Sequence, residues 1–238
     1  MKIDLLAIAA HPDDVELTSG GTLLKMAEEG YATGILDLTR GETGTRGTPE
    51  TRQKEAAAAA KILKVKVRRN AGLPDAHLRV CDEYKVAIAE IIRELQPRTV
   101  IVPYWEGRHP DHYAAAALGY EACFISGLKN YPMAGTAFRP FKVLYAAAYE
   151  DAHPHFAVDI TKYYERRREA ILCYKSQFSP PEKEKGGKVF IPLDELEERM
   201  SLQAKQYGRM IGVKYAEGYL VKEVMQVDDV VKLPVRSM

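Results

Sequence analysis

Cysteine, tryptophan and histidine are scarce in this chain, which contains 3, 1 and 6 of them among 238 residues. The cysteines, at positions 81, 123 and 173, are widely separated and form no Cys-x-x-Cys pair. Their odd number argues against a framework of disulfides. We expect buried, chemically inert thiols, and this cysteine usage is typical of a cytoplasmic protein.

Long apolar runs and an excess of charge are also missing. No stretch approaches the roughly 18 residues of a membrane span, and no basic segment followed by an apolar one indicates a secretion signal. The formal net charge of +1 provides no field that would attract nucleic acid or an anionic membrane. With 46% hydrophobic and 28% charged residues, the composition predicts one globular domain over residues 1–238.

Strand-like and helix-like segments alternate along the chain. Short apolar runs, typical of strands buried on both faces, are followed by longer segments with helical character. We predict strands at residues 2–9, 31–39, 66–69, 99–103, 143–148 and 157–160, and helices at residues 22–29, 50–63, 82–95, 113–125, 161–174 and 194–209. This alternation predicts an α/β fold with an open, mostly parallel sheet flanked by helices.

Two clusters of ionisable side chains follow apolar strands. His-Pro-Asp-Asp at residues 11–14 follows the first strand, and His-Pro-Asp-His at residues 109–112 follows the strand at residues 99–103. Ligands of open α/β sheets bind beyond the carboxyl ends of the strands, so both motifs should lie at one edge. A turn explains a single motif of this kind, but two at one edge predict a metal or catalytic site.

The side chains of these motifs are those required for metal-assisted hydrolysis. One of Asp13 and Asp14 could bind the metal while the other faces the attacking water. One of His109 and His112, three residues apart, could bind the metal while the other faces the substrate. A carboxylate can take a proton from water, and a histidine can stabilise an oxyanion or protonate a leaving amine. This set predicts hydrolysis of an amide or an ester.

Both motifs resemble those of the PIG-L/LmbE family of zinc-dependent N-acetylglucosamine deacetylases. Ala-His-Pro-Asp-Asp-Val-Glu at residues 10–16 and the second motif carry the resemblance, which covers most of the chain. Residues 38–56 and Ser-Gln-Phe at residues 176–178 are most similar to the bacillithiol branch. The resemblance implies a Rossmann-like, LmbE-like fold, a Zn²⁺ cofactor and cleavage of N-acetylglucosaminyl-malate to glucosaminyl-malate and acetate.

The resemblance also implies a role for each motif residue. The residues that match the family's zinc ligands are His11, Asp14 and His112. Asp13 matches the general base, and His109 matches the histidine that stabilises the tetrahedral intermediate and can act as an acid. A tyrosine that assists catalysis in mycothiol-pathway relatives is replaced here by Gly107. The branch further implies a homo-oligomer, often a hexamer, whose partner is a small glycoside substrate.

Several other polar or aromatic residues are candidates for binding the substrate. Arg46 and Arg52 lie in or near a Gly/Thr-rich loop, where a guanidinium could bind a malate carboxylate bidentately or simply be solvated. Glu16 could bind a sugar hydroxyl or cap a helix. Trp105 could stack on a pyranose ring or pack in the core. Asp75 could hold a sugar hydroxyl, although a turn after Pro74 is slightly favoured.

Other functions fit parts of the sequence. A deacetylase of a different N-acetylglucosaminide, or an amidase of a thiol conjugate, would use the same motifs. The Gly/Thr-rich segment that carries Arg40, Arg46 and Arg52, which we call the arginine loop, suits a small dianionic aglycone better. A non-catalytic carbohydrate-binding protein is disfavoured because all five catalytic positions carry competent side chains. A dinucleotide-binding module is disfavoured because no Gly-x-Gly-x-x-Gly follows the first strand and two aspartates would repel a pyrophosphate.

Overall fold

A computed structural model of the protein describes residues 2–148, 152–178 and 192–235. The strands are β1 (Leu5–Ala9), β2 (Thr33–Asp37), β3 (Val67–Asn70), β4 (Thr99–Pro103), β5 (Lys142–Ala146), β6 (Phe156–Asp159) and β7 (Ala216–Leu220). The helices are α1 (Asp14–Glu28), α2 (Pro49–Ile62), α3 (Asp82–Leu95), α4 (Pro110–Ile125), α5 (Tyr164–Ile171), α6 (Lys175–Phe178) and α7 (Leu193–Ile211). A 3₁₀ turn follows at Val230–Lys232.

The seven strands form one sheet in the order β3-β2-β1-β4-β5-β7-β6. Strands β1 to β5 pair in parallel, and β7 is antiparallel to both of its neighbours. This confirms the predicted α/β fold with a mostly parallel sheet. The chain builds outward from β1 to β3 and then returns to β4 on the other side of β1. The strand order therefore reverses between β1 and β4, where open α/β sheets bind their ligands.

The two faces of the sheet carry separate apolar cores, because successive strand residues point to opposite faces. On β1, Leu6 and Ile8 belong to the core formed with α3 and α4. Leu5, Ala7 and Ala9 belong to the core formed with α1, α2 and α5. Every residue of β1 is buried. Packing on both faces fixes the carboxyl end of β1, from which the first motif extends.

Helix α1 is longer than predicted, since it begins at Asp14 rather than at residue 22. Gly20 and Gly21 lower the local helix propensity, but packing requires a glycine at position 21. A Cβ atom on Gly21 would lie 2.9 Å from Ile160. The amide groups of Gly21 and Thr22 donate to the buried carboxylate of Glu217, at 2.9 and 2.7 Å. Glu217 lies on β7, a strand that the sequence patterns did not predict.

The composition predicted free cysteines and no membrane span, and the structure can be compared with both expectations. Cys81, Cys123 and Cys173 all lie in the described segments and are free thiols. Burial raises the pKa of the Cys123 thiol to about 12, whereas the other two are only half-buried. Among the described residues, no helix is both long and apolar enough to span a membrane.

Candidate active site

The first motif forms a tight turn between β1 and α1. Asp13 adopts φ = 114°, ψ = −30°, a region that non-glycine residues rarely occupy. The amide of His11 donates to Asp14 Oδ2 at 2.9 Å, and the amide of Asp14 donates to the His11 carbonyl at 3.3 Å. Unusual backbone conformations of this kind cluster at functional sites. The turn places two adjacent carboxylates at the N-terminus of α1, where the helix dipole stabilises negative charge.

Three side chains from the two motifs bring donor atoms together. His11 Nδ1 lies 3.2 Å from Asp14 Oδ2, and His112 Nε2 lies 3.2 Å from Asp14 Oδ1. One ligand atom of each of the three residues lies within 4.8 Å of the others. Donors bound at about 2.0 Å to one tetrahedral ion lie about 3.3 Å apart, so this set fits a zinc-sized ion.

The second motif begins α4 and adds His109 to the same cluster. His109 is the N-cap of α4, where its Nδ1 accepts from the Asp111 amide at 3.2 Å. Its ring centroid lies 4.7 Å from that of His112 and 4.9 Å from that of His11. The structure thus brings all five motif residues to one edge of the sheet.

A second group of residues, His11, His109 and Asp111, also has ligand atoms within 4.8 Å of one another. The carboxylate of Asp111, however, already accepts hydrogen bonds from the amides of Ala76 and Leu78, at 2.8 and 3.3 Å. These bonds reduce its capacity as a ligand. The group of His11, Asp14 and His112 therefore suits a metal better.

The electrostatics of the cluster favour a bound cation. Burial alone would lower the pKa of His11, but hydrogen bonds with Asp111, Asp14 and Asp75 raise it to about 12. Three carboxylates around one imidazole require a compensating positive charge, which a metal ion or a proton supplies.

Asp13 and His109 have the protonation properties expected of a base and an acid or hydrogen-bond donor. Burial raises the pKa of Asp13 to about 7, against the opposing effect of Arg52 and with a further contribution from Asp14. A carboxylate with a pKa near neutrality is suited to general base catalysis. Burial and the neighbouring histidines lower the pKa of His109, which favours the neutral imidazole.

Sequence reasoning missed the role of Asp75. Its Oδ1 atom lies 3.0 Å from His11 Nε2, on the side of the ring opposite Asp14. Asp75 is only 4% exposed and follows β3 in the loop that also binds Asp111. The position of Asp75 after the third predicted strand could have indicated this role, because the carboxyl ends of parallel strands lie at the same edge of the sheet.

Arg52 lies beside Asp13, the predicted general base, rather than on the surface. It is 7% exposed, and its Nη1 atom lies 3.3 Å from the Pro12 carbonyl and 3.8 Å from Asp13 Oδ2. Gly41, with φ = 67°, packs so closely on the guanidinium that a Cβ atom would lie 2.5 Å from Nη1. The alternative of a solvated Arg52 is therefore wrong, and contact with malate stays a prediction.

The Ser-Gln-Phe segment organises the arginine loop. Gln177 accepts from Arg52 through Oε1 and donates through Nε2 to the Arg46 carbonyl at 2.8 Å. Ser176 donates to the Glu55 carboxylate through its amide and its hydroxyl, at 2.7 and 2.6 Å. Arg46 is half-buried, and its Nη1 atom is buried without a hydrogen-bond partner among the described residues.

The predicted contact between Glu16 and a sugar hydroxyl is wrong. Glu16 is fully buried, and its Oε1 atom accepts from Arg68 Nη1 at 2.6 Å and from the Tyr174 hydroxyl at 3.0 Å. No capping hydrogen bond from a side chain is found at the α1 N-cap, Asp13. Glu16 instead joins α1 to β3 beneath the site.

Trp105 is half-buried next to the second motif. Its ring packs against Tyr104 and Tyr145, with centroid distances of 4.5 and 4.8 Å. Lys222 Nζ lies 5.3 Å from the same ring. These contacts agree with the core-packing alternative, and stacking on a sugar stays a prediction.

Histidine and carboxylate side chains cluster beside the buried carboxylate of Asp13, at the switch point of the mostly parallel sheet. Such an arrangement is typical of metal-assisted hydrolases. The PIG-L family model, described as GlcNAc-PI de-N-acetylase, matches residues 6–123. The diacetylchitobiose deacetylase of Thermococcus kodakarensis is 30% identical over 227 residues, which cover 90% of this chain and 81% of that protein. The chain therefore belongs to the PIG-L family and is a hydrolytic N-deacetylase, as the resemblance of its motifs implied.

Two other relatives illustrate the range of the family. A probable N-acetyl-alpha-D-glucosaminyl L-malate deacetylase 2 of Bacillus anthracis is 27% identical over 195 residues, covering 74% of this chain and 81% of that one. The crystal structure of a conserved protein from Thermus thermophilus has a TM-score of 0.86 and 38% identity. That superposition covers 95% of this chain and 98% of the Thermus chain.

Proposed function

We propose that this protein is a zinc-dependent deacetylase that converts N-acetylglucosaminyl-malate to glucosaminyl-malate and acetate in bacillithiol biosynthesis. The main support for zinc-dependent deacetylation is that His11, Asp14 and His112 lie close together, next to Asp13 and His109. The choice of substrate is supported by the buried Nη1 atom of Arg46, which has no hydrogen-bond partner among the described residues, and by the similarity to the Bacillus anthracis protein.

His11 Nδ1, His112 Nε2 and the Asp14 carboxylate would hold the zinc ion. A bound zinc ion supplies Lewis acidity, which polarises an amide carbonyl and acidifies water. The protein contributes the geometry of the three ligands and the buried surroundings, in which electrostatic interactions are stronger than in water.

Asp13 takes the proton from the attacking water. Its raised pKa makes the carboxylate basic enough to accept this proton near pH 7. Arg52, 3.8 Å away, keeps enough of the carboxylate ionised to act as a base. The same proton can then be passed to the leaving nitrogen, which departs as the glucosamine amine.

His109 is placed to stabilise the oxyanion of the tetrahedral intermediate. Its Nδ1 atom accepts a backbone hydrogen bond, so the proton of the neutral ring lies on Nε2. An N–H donor directed at developing negative charge is worth about 3 kcal/mol in the transition state.

The anionic half of the substrate would be bound by the arginine loop. Arg46 carries a buried Nη1 atom without a hydrogen-bond partner among the described residues. A malate carboxylate would satisfy such a donor, and a charge-assisted hydrogen bond of this kind is worth about 1.5–3 kcal/mol. This contact would distinguish the malate glycoside from uncharged N-acetylglucosaminides.

A second candidate substrate is diacetylchitobiose, because the Thermococcus relative covers 90% of this chain. The discriminating experiment measures acetate release by the zinc-loaded protein from N-acetylglucosaminyl-malate, diacetylchitobiose, N-acetylglucosamine and an acetylated thiol conjugate. We expect the highest kcat/KM for the malate glycoside. Preference for diacetylchitobiose, for N-acetylglucosamine or for the conjugate would overturn the malate assignment and support that alternative. No acetate release from any of the four would overturn both candidate substrates.

Matched variants test the arginine loop. Arg46→Ala should raise KM about 10-fold or more for the malate glycoside and leave KM for N-acetylglucosamine unchanged. Arg40→Ala removes an exposed arginine of the same loop and is the control, with both KM values near those of the wild type. Equal effects of Arg46→Ala on both substrates would exclude recognition of malate by Arg46.

We also propose that the protein is a homo-oligomer, with a hexamer as the expected size. The segment at residues 221–235 exposes several valines, including Val224 at 98% and Val231 at 90%. Contacts with a second copy would remove this apolar surface from water. Light scattering coupled to size-exclusion chromatography should give a mass near six chains, and a monomer at micromolar concentration would contradict the proposal.

A further inference from the structure

We propose that Asp75 is a positioning residue of the metal centre, which keeps the proton of His11 on Nε2 and so leaves Nδ1 free to bind the metal. The inference rests on the metal centre proposed above. It concerns which nitrogen of the His11 ring faces Asp75 and which faces the metal site, and not the identity of the substrate.

The two nitrogens of His11 have different partners. Nδ1 lies 3.2 Å from Asp14 Oδ2, within the ligand group. Nε2 lies 3.0 Å from Asp75 Oδ1 and 3.4 Å from Asp111 Oδ2. A neutral imidazole carries one proton, and the hydrogen bond made by one nitrogen decides which tautomer forms. Both nitrogens face ionised carboxylates, which only accept hydrogen bonds, so both can carry a proton while no metal is bound. A metal on Nδ1, beside Asp14, would take the place of one proton, and the remaining proton would then lie on Nε2, where Asp75 accepts it.

Asp75 is better placed than Asp111 to select this tautomer. Its oxygen is 0.4 Å closer to Nε2, the difference between 3.4 and 3.0 Å. Both carboxylates also accept backbone hydrogen bonds, Asp75 Oδ1 from the Ala76 amide at 2.9 Å and Asp111 from the amides of Ala76 and Leu78, so the distance to Nε2 is what distinguishes them. Asp75 therefore makes the shorter contact, and Asp111 adds to it.

The carboxylate of Asp75 is held rigidly by its own donors. Its Oδ2 atom accepts from the Thr43 amide at 2.9 Å and from the Thr43 hydroxyl at 2.6 Å. Its backbone amide donates to Glu42 Oε1 at 2.9 Å. A carboxylate fixed in this way cannot turn away from His11, so it sets the orientation of the ring as well as its tautomer. Carboxylates that accept from a metal-binding histidine typically improve metal affinity 10- to 100-fold.

These contacts also connect the metal centre to the glycine and threonine loop at residues 41–47. Thr43 belongs to that loop, and Asp75 is the side chain that bonds both to it and to His11. A turn formed by Asp75 alone, as the sequence suggested, would need no partner at His11.

Asp75→Asn is the sharpest test, because it keeps the shape of the side chain and replaces one acceptor by a donor. With the remaining oxygen still facing the Thr43 donors, the NH₂ group of the introduced amide would face His11 Nε2. This would favour the proton on Nδ1, where it competes with the metal. We expect zinc affinity to fall 10- to 100-fold in competition titrations with a chromophoric chelator. Unfolding of the metal-free variant should stay close to that of the wild type.

Two further measurements separate positioning from a purely structural role. Thr43→Val removes one donor to Asp75 but leaves its charge, and should weaken zinc binding less than Asp75→Asn does. Nitrogen-15 NMR of the imidazoles in the zinc-loaded wild type should show His11 protonated on Nε2. This readout does not depend on the variants being able to fold.

Wild-type zinc affinity in Asp75→Asn, or protonation of His11 on Nδ1 in the wild type, would overturn the assignment. Both measurements are made without substrate, so a wrong substrate in the proposed function leaves them unaffected. A wild-type protein that binds no zinc would refute the metal centre itself and the role of Asp75 with it.

Discussion

Replacement of Arg52 by glutamine should shift the pH dependence of catalysis in a defined direction. Arg52 and Asp13 are 7% and 8% exposed, and Nη1 lies 3.8 Å from Oδ2. Burial raises the pKa of Asp13 to about 7, and the positive charge of Arg52 opposes that rise. Without the guanidinium, the effects of burial and of the Asp14 charge are opposed only by the weaker effect of His11, so the pKa of Asp13 should increase.

The size of this increase follows from the distance. Two unit charges 3.8 Å apart interact by about 1 kcal/mol at a dielectric constant of about 80 and by about 4 kcal/mol at about 20. One pKa unit corresponds to about 1.4 kcal/mol, so we expect an upward shift of about 1 to 3 units. A bound zinc ion lowers the pKa of Asp13 in both proteins, and therefore the difference between them is the quantity to measure.

The assay is kcat/KM as a function of pH, whose acid limb reports the pKa of the base in the free enzyme. Activity requires Asp13 to be deprotonated, so the acid limb of Arg52→Gln should move to higher pH. N-acetylglucosamine, which lacks malate, separates this effect from any loss of malate binding.

Two control variants accompany Arg52→Gln. Arg52→Lys keeps the charge and should show a smaller shift. Gln177→Leu removes a hydrogen-bond partner of Arg52 without removing the charge, and should leave the acid limb within a few tenths of a unit of its wild-type position. An acid limb that does not move in Arg52→Gln would refute the electrostatic coupling, and the assignment of Asp13 as the base would lose its main physical support.

Three further outcomes are expected. Asp13→Asn should retain stoichiometric zinc in elemental analysis but lose at least about 100-fold in kcat; near-normal turnover would remove Asp13 from the mechanism. His112→Ala should lose most of its zinc while His109→Ala keeps it, and the reverse result would favour the alternative ligand group that contains His109 and Asp111. Gly21→Ala should lower the free energy of unfolding by about 1–3 kcal/mol, because the added Cβ atom would lie 2.9 Å from Ile160; denaturant unfolding with unchanged stability would show that the packing at α1 is looser than described.

The sequence alone determined the parts of this protein that depend on neighbouring residues. Apolar runs followed by polar turns located the central strands, and their alternation with helices predicted the parallel sheet. The two histidine and aspartate motifs were placed at one edge because parallel strands end at the same edge. The structure brings their five predicted ligands and catalytic groups together, since that inference required only strand direction and order.

Only the tertiary structure decided which polar side chains face the site and which are buried in support of it. Glu16 bonds to Arg68, 52 residues away, and Arg52 bonds to Gln177, 125 residues away. The buried Glu217 on β7 satisfies amides of α1, and Asp75 reaches His11 from the loop after β3. A buried charge is tolerated only where partners satisfy it. These partners come from distant parts of the chain, so they cannot be predicted from the sequence pattern around each residue.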